Sequence, residues 1–132
     1  MLRKKVKVHV YDTYVVVMIG DSLDSLIEGE SLLRRLRDSN SAFQNAIHYA
    51  AQSIKLVNTK GGGFAYYLLF EGDYLGPGVL AHECLHTVHA ILESSGVECS
   101  YDNDEASAYL LQYLVDEVYK VYTRWQSLQG KS

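Results

Sequence analysis

Cysteine and proline are scarce in this sequence, and it has no apolar run long enough to cross a bilayer. Its 132 residues include two cysteines and one proline. Two cysteines do not make a disulfide framework, so we expect Cys84 and Cys99 to be buried free thiols. The aliphatic run Tyr14–Ile19 is far too short for a membrane span, and the N-terminus lacks the apolar stretch of a signal peptide. The sequence therefore predicts a cytoplasmic protein with no membrane partner.

An excess of positive charge is also missing. The formal net charge is −4, which gives no reason to expect nucleic acid as a partner. The local exception is a basic cluster at Arg3, Lys4, Lys5 and Lys7. Valines alternate with these residues, so the pattern favours the solvated face of a first strand over a binding arm.

Length and hydrophobic patterning predict one α+β domain over residues 1–132. Predicted strands span 4–20, 54–58 and 63–71. The first predicted helix begins at Asp21 and has a weak point at Gly29. Three further helices are predicted at about 41–53, 79–94 and 104–128. Tyr11–Thr13 is interpreted either as a bulge in one long strand or as a tight turn. We expect a small mixed or antiparallel sheet packed on helices, with Gly96 capping the third of them.

The most specific pattern is H-E-x-x-H, formed by His82, Glu83 and His86 within a predicted helix. Residues four apart lie on one face of a helix, so both imidazoles can reach a single ion. Zinc binds neutral imidazole nitrogen, and a carboxylate beside zinc-bound water is the arrangement of metal-assisted hydrolysis. Cys84 projects about 160° away from His82, which makes it a poor ligand. The pattern predicts a Zn²⁺ site.

A catalytic zinc site normally has three protein ligands, and Glu105 is the candidate for the third. The last helix can fold back on the H-E-x-x-H helix and return its first turn towards the histidines. Asp102-x-x-Glu105 also fits a capping box, in which Glu105 bonds backbone instead. His89 shares a face with His82 but lies about 10 Å from it along the axis. His89 therefore either lies near the substrate or is a packed residue with no role in the site.

H-E-x-x-H followed by a glutamate on a helix resembles the gluzincin branch of zinc metallopeptidases, in reduced form. Residues 81–114, about a quarter of the chain, are similar to small phage-encoded zinc peptidases and to regulatory peptidases that cleave prophage repressors. The resemblance implies a zincin-like fold, with the H-E-x-x-H helix followed by an antiparallel C-terminal helix. It implies His82, His86 and Glu105 as zinc ligands and Glu83 as general base. Tyr109 stands where larger gluzincins carry an aspartate.

The function that follows is hydrolysis of a peptide or protein substrate by a zinc metallopeptidase, with no particular oligomeric state predicted. Tyr109 is the first candidate and His89 the second for stabilising the oxyanion. In a chain with eleven tyrosines, a simple packing role is the stronger alternative for Tyr109. In zincins an extended peptide commonly pairs with a sheet edge, and Phe64–Phe70 is either that edge or a central buried strand.

The alternative function is a non-catalytic regulatory or interaction protein that keeps the metal as a structural centre. Closed structural zinc sites tend to have four protein ligands, so Cys99 as a fourth ligand would favour this alternative. The intact Glu83 favours the enzyme, because a structural site needs no carboxylate at that position.

Overall fold

A four-stranded mixed sheet forms the centre of the fold. The computed structural model describes residues 1–39, 50–58 and 61–130. The strands are β1 (Leu2–Val8), β2 (Thr13–Gly20), β3 (Ala51–Val57) and β4 (Phe64–Glu71), in the order β1-β2-β4-β3. β2 and β4 are parallel, whereas the edge strands β1 and β3 are antiparallel to their neighbours. This confirms a small mixed sheet in an α+β chain.

The two central strands are apolar on both faces. Val15 to Gly20 of β2 and Tyr66 to Phe70 of β4 are buried without interruption. Successive side chains of a strand point to opposite faces, so such runs need cover on both sides of the sheet. Phe64–Phe70 is therefore a central strand, and β3 rather than β4 forms the edge of the sheet.

Helices cover both faces of the sheet. They are α1 (Leu23–Glu28), α2 (Ser31–Ser39), α3 (Pro77–Ser94) and α4 (Asp104–Leu128). One hydrophobic cluster joins α1 and α2 to one face, and a larger cluster joins α3 and α4 to the other. The predicted weak point at Gly29 is where α1 ends. Within the described segments, no helix is long and apolar enough to cross a membrane.

Two predictions about local structure are settled by these elements. The helix predicted up to residue 53 is wrong for Ala51–Ser53, which belong to β3 and pair with Leu68–Phe70. Tertiary pairing with an open strand edge outweighs helix propensity there. Most of the rest of that predicted helix, including His48, lies outside the described residues, as does Lys60 between β3 and β4. Tyr11–Thr13 contains a tight turn, with Asp12 at φ 47°.

The two long helices run antiparallel. A Schellman motif ends α3: the Val97 amide donates to the Leu92 carbonyl, and Gly96 adopts φ +73°. Near the other end, the Tyr122 hydroxyl of α4 donates to the Leu75 carbonyl at 2.9 Å. The C-terminal part of α4 therefore lies beside the start of α3.

Candidate metal centre

His82 and His86 project from one exposed side of α3. Their Nε2 atoms are 3.2 Å apart, and the ring planes meet at 71°. The opposite side of the helix carries its buried residues, among them Leu80, Cys84 and Val88. Burial of that stripe turns both histidines outward together, one turn apart, as the spacing predicts.

The separation of the two nitrogens fits a shared zinc ion. Imidazole nitrogens bound to one tetrahedral zinc at 2.0–2.1 Å lie about 3.3 Å apart. His82 and His86 reach nearly this separation, at 3.2 Å between their Nε2 atoms. A hydrogen bond between one protonated and one unprotonated nitrogen has the same length, so the geometry suits both arrangements.

Glu83 lines the same groove as the two histidines. The groove lies between α3 and the edge strand β3 and has a volume of about 890 Å³. Glu83 is half-buried there, whereas both imidazoles are exposed. The described residues that line the groove are Ala50, Ala51, Gln52, Ser53, Lys55, Gly78, Val79, His82, Glu83, His86 and Ala90. A carboxylate and two imidazoles thus border one solvent-accessible space.

Thr87 anchors this part of α3 to β3. Its side chain is 1% exposed, and its hydroxyl lies 2.9 Å from the Ser53 hydroxyl. The same Thr87 oxygen donates to the backbone carbonyl of Glu83 at 3.3 Å. The bond to Ser53 therefore joins this turn of α3 to the strand that forms the other wall, and the bond to Glu83 lies within the helix.

The two cysteines are free but have different surroundings. Cys84 is fully buried in the larger core cluster, as predicted, and burial raises the pKa of its thiol to about 12. A protonated thiol on the core side of α3 does not serve as a zinc ligand. The prediction that Cys99 is buried is wrong: it lies exposed in the loop between α3 and α4. That loop has too few apolar neighbours to cover it.

Glu105 lies in the first turn of α4, exposed to solvent. Tyr122 contacts Leu75, and the two helices run in opposite directions with the same rise per residue. Glu105 precedes Tyr122 by as many residues as Leu92 follows Leu75, so Glu105 should lie beside Leu92. Leu92 is about 9 Å further along the α3 axis than His86, at 1.5 Å per residue. Across the described ranges, no three His, Cys, Asp or Glu side chains are grouped closely enough to hold a metal. The structure therefore does not bring Glu105 to the histidines, and its role as third ligand stays a prediction.

The two candidates for stabilising the oxyanion also lie outside the groove. Tyr109 is 67% exposed and borders a different pocket, next to Val8 and Val10 beyond the end of β1. His89 is exposed on α3, one turn after His86, but does not line the groove. Neither side chain faces the space that Glu83 borders.

The edge strand β3 contributes side chains to the groove that the sequence did not predict there. Ser53 and Lys55 lie two residues apart, so they share the face of β3 that meets α3. Lys55 is the one cation among the described residues that line the groove, and its Nζ lies 4.8 Å from the centre of the Phe64 ring. Ala51-Gln52-Ser53-Ile54-Lys55 does not alternate between apolar and polar residues, so the start of this strand carried no clear period-2 signal.

Comparison with known proteins gave no match for this chain. No protein-family model matches the chain. Searches of curated proteins and of solved structures found no match either.

Proposed function

We propose that this chain is a zinc-dependent metallopeptidase with a reduced, zincin-like fold. The observation that supports the proposal best is the 3.2 Å separation of the His82 and His86 Nε2 atoms, with Glu83 beside them in one groove. Zinc bound by these imidazoles would activate a water molecule and polarise the carbonyl of the scissile peptide bond. The similarity to phage-encoded and repressor-cleaving peptidases favours a regulatory enzyme with a narrow range of substrates.

Glu83 is the general base in this proposal. It follows His82 directly and is half-buried in the groove, so its carboxylate is within reach of water at the histidines. It takes the proton from the attacking water and returns it to the leaving amine. Lys55 supplies positive charge in the same groove for the oxygen on which negative charge develops.

The edge strand β3 orients the substrate. Its neighbour in the sheet is β4 on one side, and in the described structure no strand pairs with its other side. An extended peptide can form main-chain hydrogen bonds with such an edge. Because β3 also forms a wall of the histidine groove, a peptide bound there would pass close to Glu83.

A non-catalytic metal-binding protein is the second candidate. Two observations favour it: the described residues supply two imidazoles but no third grouped ligand, and several tyrosines are exposed. Tyr101 and Tyr74 are 93% and 68% exposed, as is typical of surfaces that bind a partner. In this candidate Glu83 has no chemical role.

Metal content tests the site itself. We expect about one zinc per chain in the purified protein and none in His86→Ala, because one imidazole alone binds zinc weakly. His89→Ala is the matched control, since it removes an exposed histidine of the same helix that does not line the groove. Loss of zinc from Glu105→Ala would support the predicted third ligand, and retention would reject it. Equal zinc in His86→Ala and the unaltered protein would refute the centre.

Hydrolysis separates the two candidates. Cleavage of casein or of quenched peptide libraries should fall about 100-fold or more in Glu83→Gln, because the general base is lost. Zinc content should stay unchanged in that variant. Activity that survives in Glu83→Gln would show that Glu83 is not the base. Zinc binding without cleavage of any substrate would favour the non-catalytic protein.

A further inference from the structure

A second groove lies at the opposite edge of the sheet, between β1 and α4. We call it the β1 groove; its volume is about 620 Å³. Six of the twelve lysines and arginines of the chain line it, although the chain as a whole has a net charge of −4. These six residues are Arg3, Lys4, Lys5, Lys7, Lys120 and Arg124. Glu117 is the one acidic residue among the described residues of its lining.

Part of this charge is not neutralised within the protein. Arg3 pairs with Glu30 at 2.9 Å, Lys7 with Asp12 at 2.7 Å, and Lys120 with Glu117 at 2.8 Å. In the described chain, no carboxylate lies within ion-pair distance of Lys4 or Arg124. The groove therefore presents a net positive surface to an incoming ligand.

The backbone of β1 is available on the side that faces the groove. β1 is an edge strand, and the Tyr113 hydroxyl of α4 donates to the Lys7 carbonyl. That carbonyl therefore points away from β2. Since the direction of backbone groups repeats every second residue, the amide and carbonyl groups of Arg3 and Lys5 also point into the groove.

Protection against unwanted strand pairing accounts for only part of the charge. Lysines on an edge strand discourage pairing with other chains, and pairing of β1 with a second β1 would bring like charges together. Lys120 and Arg124, however, belong to α4 and not to the edge strand. Their position opposite β1 adds attraction for a negatively charged ligand inside the groove.

An apolar pocket continues the groove at one end. It has a volume of about 340 Å³ and shares His9 and Tyr113 with the β1 groove. Val10 and Tyr109 on its rim are 85% and 67% exposed. A ligand lying along β1 could place one apolar side chain there while its acidic groups face the cations.

We propose that the β1 groove binds an extended acidic peptide segment of a partner protein, which adds a strand next to β1. Main-chain hydrogen bonds to Arg3 and Lys5 and ion pairs with Lys4 and Arg124 hold the segment, and a large apolar residue at its end fills the adjoining pocket. Unpaired strand groups match a peptide backbone, which favours a peptide over a nucleic acid. The site does not depend on the proposed peptidase function.

Fluorescence anisotropy with defined probes tests this inference. The probes are labelled peptides of alternating glutamate and valine, with and without a terminal phenylalanine, a lysine–valine peptide and oligothymidylate. We expect the glutamate peptide to bind and the lysine peptide not to, with tighter binding when phenylalanine is present. Lys4→Glu/Arg124→Glu should weaken binding at least about tenfold, because attraction becomes repulsion. Arg34→Glu/Arg35→Glu, with the same charge change on α2, should bind as the unaltered protein does.

Several outcomes would overturn the inference. One is that the glutamate peptides do not bind, and another is that both double variants weaken binding equally. A third is that oligothymidylate binds more tightly than the peptides and loses this binding in Lys4→Glu/Arg124→Glu. Hydrogen exchange on the unaltered protein is an independent test that does not require any variant to fold. The amides of Arg3 and Lys5 should become protected when the peptide binds, and protection confined to β3 would contradict the assignment. His86→Ala should bind the peptide normally, which separates this site from the metal centre.

Discussion

The two histidines owe their orientation to the buried residues between them. Cys84 and Leu80 point into the core from α3, and this fixes the rotation of the helix about its axis. His82 and His86 then fall on the solvent side, where both imidazoles are accessible. Single residues on the core side of a helix can thus determine the geometry of a site on its outer side.

The two thiols should differ sharply in reactivity. Because the thiolate is the reactive form, the buried Cys84 should be inert and the exposed Cys99 should react. We expect dithionitrobenzoate to titrate one thiol per chain in the folded protein and two in denaturant. Cys99→Ser should abolish the reaction of the folded protein. Rapid reaction of both thiols without denaturant would contradict the burial of Cys84.

At the scale of elements, the candidate metal centre depends on how α3 meets β3. One wall of the groove is a helix and the other is an edge strand, and Ser53 and Thr87 connect them at 2.9 Å. Thr87 is the one polar residue among the buried side chains of the described chain. A polar pair at this point favours one register between helix and strand, because a shift would break the hydrogen bond between the two hydroxyls.

A double-mutant cycle measures this connection. Thr87→Val and Ser53→Ala should each lower the free energy of unfolding, with a coupling energy of about 1 kcal/mol between them. Urea denaturation of the four proteins gives the coupling. Thr123→Val is the control, since that hydroxyl bonds only to carbonyls of its own helix and is exposed, so its loss should cost about 0.5 kcal/mol or less. Additive effects of the two core variants would show that the hydroxyls do not interact.

The turn that precedes α3 is held by close packing against the end of α4. A Cβ at Gly72 would lie 2.5 Å from Cε2 of the Trp125 ring, which is buried. Gly72→Ala should therefore destabilise the protein by about 1–3 kcal/mol through overpacking. A shift in the fluorescence of Trp125, the only tryptophan, should accompany the loss.

Gly78→Ala is the matched control for that prediction. A Cβ at Gly78 meets no atom within 4 Å, and the residue lies in the first turn of α3. Alanine favours a helix over glycine, so Gly78→Ala should leave stability unchanged or raise it by up to about 1 kcal/mol. Thermal or urea unfolding distinguishes the two. Equal destabilisation by both substitutions would show that the Trp125 contact is not the cause.

Over the whole described molecule, the sheet separates two sites with different chemistry. The histidine groove borders β3, and the β1 groove borders the opposite edge, with the two buried strands β2 and β4 between them. Helices on both faces leave the edges as the places where the sheet is open to a ligand. Edge strands therefore supply the backbone groups of both proposed binding sites.

Zinc should stabilise the folded chain as a whole. A ligand that binds the folded state adds RT ln(1 + [L]/Kd), which is about 2.7 kcal/mol at a hundredfold excess over Kd. For a domain of this size we expect the Tm to rise by about 5–10 °C relative to protein treated with EDTA. Calorimetry of the unaltered protein and of His86→Ala tests this. The same increase in both proteins would place the stabilising zinc elsewhere.

Strong local patterns predicted several elements correctly. The helix predicted over about 104–128 matches α4, and Gly96 caps α3 as expected. The beginning of β3 was missed, because Ala51–Ser53 become a strand only through pairing with β4. Cys99 was assigned to the core because cysteine is usually buried, although its loop provides no cover.

The sequence by itself determined that two imidazoles and a carboxylate share one part of a helix, since helical spacing depends only on positions in the chain. It left open whether Phe64–Phe70 is an edge or a central strand. Only the tertiary structure decided what faces those groups: β3 with Lys55 lies across the groove, while neither Glu105 nor Tyr109 is among the described residues that line it. The physical reason is that the register and side of contact between distant elements depend on packing of the complete core, which no local pattern contains.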